Sequence, residues 1–333
     1  MPELAPELWI LLPLAIAAGI DLYLTLLVIG AAPTMPWWDH PLPGALGDLD
    51  APTILIVVGV VYILEFAAER RPASALVWNA LHALIRPVSG ALLAALLLHG
   101  HSPGLILGGS LTAGAVASLA HAVRSGGAIV RWLDPAPDPH VLLVSMFEDT
   151  IVLGLVVASL DAPPVALAAA LALVVLVAPR ASTDARAFIF GIRFAANRVF
   201  QTFRQRSWRR AEQLPPRVRS ALADDIMAPG GGLRGTRAAV LRMPGLARFT
   251  TGWVVVRGDD PVFVYGRGDR RVELGRLRGV EVKEQDFFRS LDLRDTENRP
   301  VRILFFVNGP GPAALEAEFG LDAGGASAHH ASP

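Results

Sequence analysis

Lysine and arginine are missing from three of the gaps between apolar segments, and that absence constrains this chain more than anything else in it. Six apolar segments occupy residues 8–30, 51–68, 87–100, 104–123, 141–160 and 163–178. The gaps 31–50, 100–103 and 161–162 carry no Lys or Arg, whereas the alternating gaps carry Arg70, Arg71 and Arg86, then Arg124 and Arg131, and Arg180 follows the last segment. Alternation of this kind is the positive-inside pattern of a polytopic membrane protein. It places the N-terminus, the 69–86 gap, the 124–140 gap and the C-terminal part in the cytoplasm, with Trp37 and Trp38 at the outer interface.

Composition agrees. The chain is 53% hydrophobic with a mean hydropathy of +0.45, above the ordinary soluble range. Its formal net charge of +0 hides an asymmetry, because all but five of the 30 basic residues lie after residue 179. A basic C-terminal part suits an anionic inner leaflet. The chain has no cysteine, which excludes disulfides, thiolate metal sites and Cys nucleophiles. The first apolar segment has no basic region before it and reads as a retained span rather than a cleaved signal.

A helix needs about 20 apolar residues to cross the bilayer core. Segments one, four and five have that length. Segments two, three and six are shorter, which suits tilted helices or helices broken within the membrane. Residues 75–85 can complete segment three, and Pro87 is expected to break or restart that helix. The stretch 125–140 reads as a loop from its Gly and Pro content. Three spans followed by three spans would give two halves of opposite orientation, an inverted repeat with Glu65 and Glu148 as counterparts.

A carboxylate at mid-bilayer costs about 2.5–3.5 kcal/mol on insertion scales, so Asp21, Glu65, Glu148 and Asp149 need a reason to be there. The functional reading is a substrate or proton path lined by Asp21, Glu65, Arg86, His121, Glu148 and Asp149, supported by Asn79, His82, Arg124 and Ser145. Adjacent Glu148 and Asp149 diverge by about 100° on a helix and cannot face the same way. The competing reading is structural: buried ion pairs such as Glu65–Arg86 and Asp149–Arg124 that hold helices together. His82 and His121 lack metal-ligand spacing, and no metal or cofactor is expected. Small residues at Gly108, Gly109 and 113–115 suit close helix packing.

The run Leu64-Glu65-Phe66-Ala67-Ala68-Glu69-Arg70-Arg71-Pro72, with Trp78, His82, Ile85-Arg86-Pro87 and Gly90-Ala91-Leu92-Leu93, resembles a bacterial membrane family catalogued as domain of unknown function 4126. Gly108-Gly109, Ala120-His121-Ala122 with Arg124, the prolines of 135–139 and Ser145-Met146-Phe147-Glu148-Asp149 extend the resemblance over residues 8–178. Glu69-Arg70-Arg71-Pro72, Ala75 and Asn79 stand where the family pattern carries Asp-Lys-Ile-Pro and two further Asp residues. The resemblance implies a multi-span bacterial inner-membrane protein and no established activity.

Residues 181–213 read as an Arg-rich amphipathic helix of the headgroup layer, and 215–235 as a linker with a short helix at 218–226. Seven strands with period-two patterning are expected at 238–243, 251–257, 261–266, 271–277, 279–283, 288–293 and 301–307, then a helix at 312–319. That element count resembles a pleckstrin-homology-like fold. The expected domains are a transmembrane domain (1–179), a juxtamembrane helix and linker (180–235), a β-rich cytoplasmic domain (236–320) and a disordered tail (321–333).

Arg267, Arg270, Arg271, Arg276 and Arg278 would form a basic edge for anionic lipid headgroups. Nucleic acid is not expected as a partner, for want of aromatic stacking platforms, and a homo-oligomer is compatible with the reading. Two functions follow: a proton-coupled secondary transporter of a small solute or lipid, with protonation of Glu148 or Asp149 as the coupling step, or a membrane scaffold whose basic β-domain binds headgroups or a partner protein. No Ser-His-Asp set, metal spacing or phosphate loop argues for an enzyme.

Overall fold

The structure, a computed structural model, describes residues 7–36, 38–70, 72–133, 141–201, 208–223, 232–257, 260–266, 270–274, 278–284, 288–295, 297–306 and 309–319. Trp37 and the Pro-rich run 134–140 lie outside them. The chain divides into two compact units, residues 1–192 and 193–333.

The first unit is helical: α1 (Glu7–Ile20), α2 (Leu22–Ala31), α3 (Pro52–Glu69), α4 (Pro72–Leu97), α5 (Pro103–Leu133), α6 (Val141–Asp161) and α7 (Pro163–Gln201). Among the described residues, four helices are long and apolar enough to cross a membrane: 52–69, 74–97, 103–133 and 163–196. Segment three of the sequence is completed by the residues before it, as expected, into one 26-residue helix.

Three expectations are corrected. Pro87 neither breaks nor restarts a helix but lies inside α4. In an apolar setting a proline forfeits one hydrogen bond, whereas unwinding the chain would expose several more backbone groups, so the helix persists. Residues 125–133 are not loop but the last turns of α5. Gly126 is there for close approach, since an added Cβ would overlap the Asp184 backbone of α7. Finally, segment six runs on into the Arg-rich stretch as one helix of 39 residues that ends at Gln201, with Pro179 inside it, and residues 209–213, expected in that helix, form a short strand and a 3-10 turn instead.

The break comes in segment one instead. Asp21 adopts extended backbone angles (φ −140°, ψ 103°) between α1 and α2, and its carboxylate caps α2 by accepting from Leu24 N. Helix α1 is buried on nearly every side, Leu14 through Gly19 included, and contacts α4, α5 and α6. A helix apolar all round belongs at the centre of a bundle.

Surface and interior are inverted relative to a water-soluble bundle. Ile56, Val60 and Ile63 of α3, Leu84 of α4 (73% exposed), Leu111 of α5 and Leu176 of α7 (76% exposed) face outward. Asn79, His82 and Arg86 of α4 face inward with Glu65 of α3 and His121 of α5. Leaving one large apolar side chain in water forgoes about 1.5–3 kcal/mol. So large an exposed apolar surface around a charged interior requires lipid on the outside. This is a multi-pass membrane domain.

The second unit holds β1 (Arg209–Arg210), α8 (Pro216–Ala221), β2 (Arg234–Arg242), β3 (Thr250–Arg257), β4 (Asp260–Tyr265), β5 (Arg270–Glu273), β6 (Arg278–Glu284), β7 (Phe288–Arg294), β8 (Pro300–Phe306) and α9 (Pro312–Glu318). Each of the seven expected strands is present. They form one antiparallel sheet in the order β5-β4-β3-β2-β8-β7-β6, with β1 added to β2. Alternation sorts the side chains: Val254, Val256 and Phe263 join a core with Ile303, Phe305 and Leu315 of α9. Trp253, Val255 and Val264 face the other way, under Leu214, Val218 and Leu222 of α8 and its flanks. Much of the stretch read as linker therefore covers one face of the sheet.

Helix packing in the first unit depends on small residues. A Cβ on Gly114 of α5 would fall 2.7 Å from the Pro87 carbonyl oxygen of α4, whereas Gly108 of the same helix has nothing within 4 Å. Gly114→Leu is expected to destabilise the protein by about 1–3 kcal/mol through overpacking, and Gly108→Leu to leave it unchanged. Thermal unfolding of the two variants in one detergent checks the contrast.

Candidate functional site

The helix break at Asp21 creates the polar centre. Ending α1 frees its last carbonyls, and starting α2 leaves its first N–H groups in need of acceptors. Asp21 Oδ1 accepts from Leu24 N at 2.9 Å, Asp21 N donates to Ala17 O at 2.8 Å, and Thr25 Oγ1 donates to Asp21 O at 2.6 Å. The Ala18 carbonyl is taken by a side chain from another helix: Arg86 Nη1 donates to it at 2.7 Å.

Arg86, fully buried, also donates through Nη2 to Glu65 Oε1 at 2.7 Å. Glu65 Oε1 lies 3.9 Å from Arg124 Nη1. Arg124 holds Glu69 with both terminal nitrogens, at 2.8 and 2.9 Å, and donates through Nε to Glu148 at 2.9 Å. Glu148 approaches Arg131 at 3.8 Å. Charges of opposite sign thus alternate from Arg86 through Glu65, Arg124 and Glu148 to Arg131, joining α3, α4, α5 and α6. A planar guanidinium suits this role, because its fork can serve several carboxylates in fixed directions.

A second cluster flanks the chain of charges. His82 Nδ1 donates to the Trp78 carbonyl at 2.9 Å, which leaves Nε2 of the neutral ring to accept from Tyr23 Oη at 2.8 Å. His121 Nε2 donates to the Asn79 carbonyl at 3.2 Å, and its Nδ1 faces Ser125 Oγ at 3.4 Å. These contacts set both tautomers and tie α4 to α2 and α5. Among the described residues no group of three His, Cys, Asp or Glu could hold a metal ion.

Of the residues singled out from the sequence, Asp21, Glu65, Arg86, Arg124 and Glu148 meet in this network, and His82 and His121 stand beside it. Asn79 contributes its backbone carbonyl. The Ser145 side chain lies outside the described residues. Glu148 and Asp149 do diverge: Glu148 accepts from Arg124 Nε, whereas Tyr62 Oη reaches Asp149 Oδ2 at 3.5 Å. The expected Asp149–Arg124 pair is therefore corrected to Glu148–Arg124, whereas Glu65–Arg86 forms. The sequence reading left out Glu69, Arg131, Tyr23 and Tyr62. Glu69 carried a usable signal, one helical turn beyond Glu65 and so on the same face. In the second unit Arg270 and Arg271 are exposed on β5. Arg267, Arg276 and the Arg278 side chain lie outside the described residues.

Residues 8–181, which hold every helix of this network, match the family described as a domain of unknown function, DUF4126. The chain belongs to that family. No curated protein and no solved structure matches the chain. For this DUF4126 protein the family membership extends over the membrane helices and stops short of the β-rich unit.

Arg124 makes the most ion pairs here. Arg124→Ala should destabilise the domain by about 3–5 kcal/mol, because it leaves Glu69 without its cation and Glu148 with only Arg131 at 3.8 Å. Asp21→Ala should cost about 0.5–2 kcal/mol, the ordinary value of a helix cap, and Asp21→Asn little. Denaturation of the purified variants in mixed micelles measures all three.

Proposed function

We propose that this protein is a secondary transporter, or a translocator of a lipid or small solute, coupled to protons at its intramembrane acidic centre. The observation that carries the reading is the broken first helix. An acid caps the break, and a buried arginine spans from the freed carbonyl to Glu65. Discontinuous helices whose ends are paired with ionisable groups at membrane depth are the means by which transporters build sites. The alternative, that the charges only hold helices together, accounts for Arg124 but not for breaking a central helix around Asp21.

In this reading six crossings are made by α1–α2, α3, α4, α5, α6 and α7, in a bacterial cytoplasmic membrane. The N-terminus and the β-rich unit are cytoplasmic, as the arginine asymmetry supports. Glu65 and Glu148 converge on Arg124 from either side, which favours treating them as counterparts of an inverted repeat. In this reading α5 is the counterpart of α1–α2 and differs from it in being unbroken. The partners are then the bilayer, anionic headgroups and an unidentified solute or lipid.

A second reading rests on the β-rich unit. Seven antiparallel strands with the first beside the last, closed by a C-terminal helix, support a pleckstrin-homology-like module. Exposed Arg270 and Arg271 would serve headgroups there, and the helical part would be an anchor. Proteoliposomes under an imposed pH gradient separate the two. The transporter reading expects the wild-type protein to dissipate the gradient clearly faster than empty vesicles do. Wild-type vesicles that hold the gradient as well as empty ones, with solutes and lipids varied, would favour the scaffold.

A further inference from the structure

Glu65 and Arg86 are the most deeply buried charged pair in the network, at 3% and 0% exposure, yet neither is fully satisfied. Glu65 Oε2 and Arg86 Nε are both shielded from solvent and have no hydrogen-bond partner. Every other carboxylate around the centre has its role elsewhere. Asp21 caps α2, Glu69 is gripped by both terminal nitrogens of Arg124, Glu148 lies between Arg124 and Arg131, and Asp149 faces Tyr62.

The charges that face Glu65 come from each helix around it: Arg86 from α4, Arg124 from α5, Asp21 from the α1–α2 junction and Glu69 from its own helix. Across the whole centre the carboxylates Asp21, Glu65, Glu69, Glu148 and Asp149 outnumber the guanidinium groups of Arg86, Arg124 and Arg131. An excess of negative charge held partly out of water is relieved when one of the acids is neutralised. A proton is a cation that needs no cage of ligands.

We infer that Glu65, and not the Glu148–Asp149 pair, is the proton-binding residue of the centre, with Oε2 as the atom that takes the proton. The inference rests on the acidic centre of the proposed function and names its coupling group. The step balances simply: one proton adds to the Glu65 carboxylate, an O–H bond forms at Oε2, and the group becomes a neutral acid. Oε1 still accepts from Arg86, now without a full counter-charge. Arg86 then depends more on the Ala18 carbonyl, so the proton is felt at the helix break. Glu65 thereby links proton uptake to the one place where the central helix is discontinuous.

Infrared difference spectroscopy tests this on the full chain in vesicles of phosphatidylethanolamine and phosphatidylglycerol, titrated from alkaline to acid. The expected result is a high-frequency C=O band of one buried protonated carboxyl that grows as pH falls and persists in Asp149→Asn. It should be wholly lost in Glu65→Gln. Because Glu65→Gln orphans a buried arginine and risks misfolding, Glu65→Gln/Arg86→Met removes both charges together and should lose the same band. A band unchanged in a folded Glu65 variant overturns the inference.

Flux measured on the same vesicles keeps the two ideas apart. A Glu65-dependent band without wild-type flux supports the proton site and rejects the transport reading. Flux with a band indifferent to Glu65 rejects the proton site alone.

Discussion

The bond from Arg86 to the Ala18 carbonyl is the contact on which the helical domain turns. A guanidinium buried from water is tolerable only when its N–H groups and its charge are met. Here a broken helix supplies the carbonyl and Glu65 supplies the charge. The dependence is mutual. Without the break at Asp21 the carbonyl would be committed to its own helix, and without Arg86 the end of α1 would leave an acceptor stranded inside the protein. Central helix, break and ion pair therefore form a single device.

The rest of the network spreads outward from it. Arg124 gathers carboxylates from α3 and α6 onto α5, so four helices share one set of charges. Close backbone approach at Gly90 and Gly114 holds α4 and α5 near enough for Arg86 and Arg124 to share carboxylates, and Gly126 lets α7 pack closely on α5. In a membrane the apolar exterior contributes little to choosing among helix arrangements, because lipid and leucine are equally apolar. Small-residue contacts and buried polar pairs must specify the packing, and in this chain they converge on the same helices.

Much of this was legible in the residues. The period-two strands of the second unit are legible because alternation and turn signals are local, although β2 starts four residues earlier than expected and β5 ends at Glu273. The polar stripe Asn79, His82, Arg86 was visible at helical spacing, and its burial follows once the opposite face of α4 is assigned to lipid. The helix break was misplaced. Proline at 87 is a local signal, and tertiary surroundings overrode it. Asp21 is a residue type that caps helices, but a break inside an apolar run is tolerated only because Arg86, far along the chain, meets the freed Ala18 carbonyl. The partner of Arg124 was misassigned for a related reason: a one-residue choice between Glu148 and Asp149 depends on helix rotation, which neighbours decide.

The sequence by itself determined the class of the protein. Apolar length, arginine asymmetry and acids inside apolar segments dictate a multi-pass membrane domain with a charged interior, since each follows from transfer between water and lipid. It also determined the β-rich second unit, through alternation. Only the tertiary structure decided which charges meet, where the central helix yields and which carboxylate keeps an unpaired oxygen. Those are properties of side chains brought together from distant positions, and no local pattern encodes the rotation and depth of one helix against another.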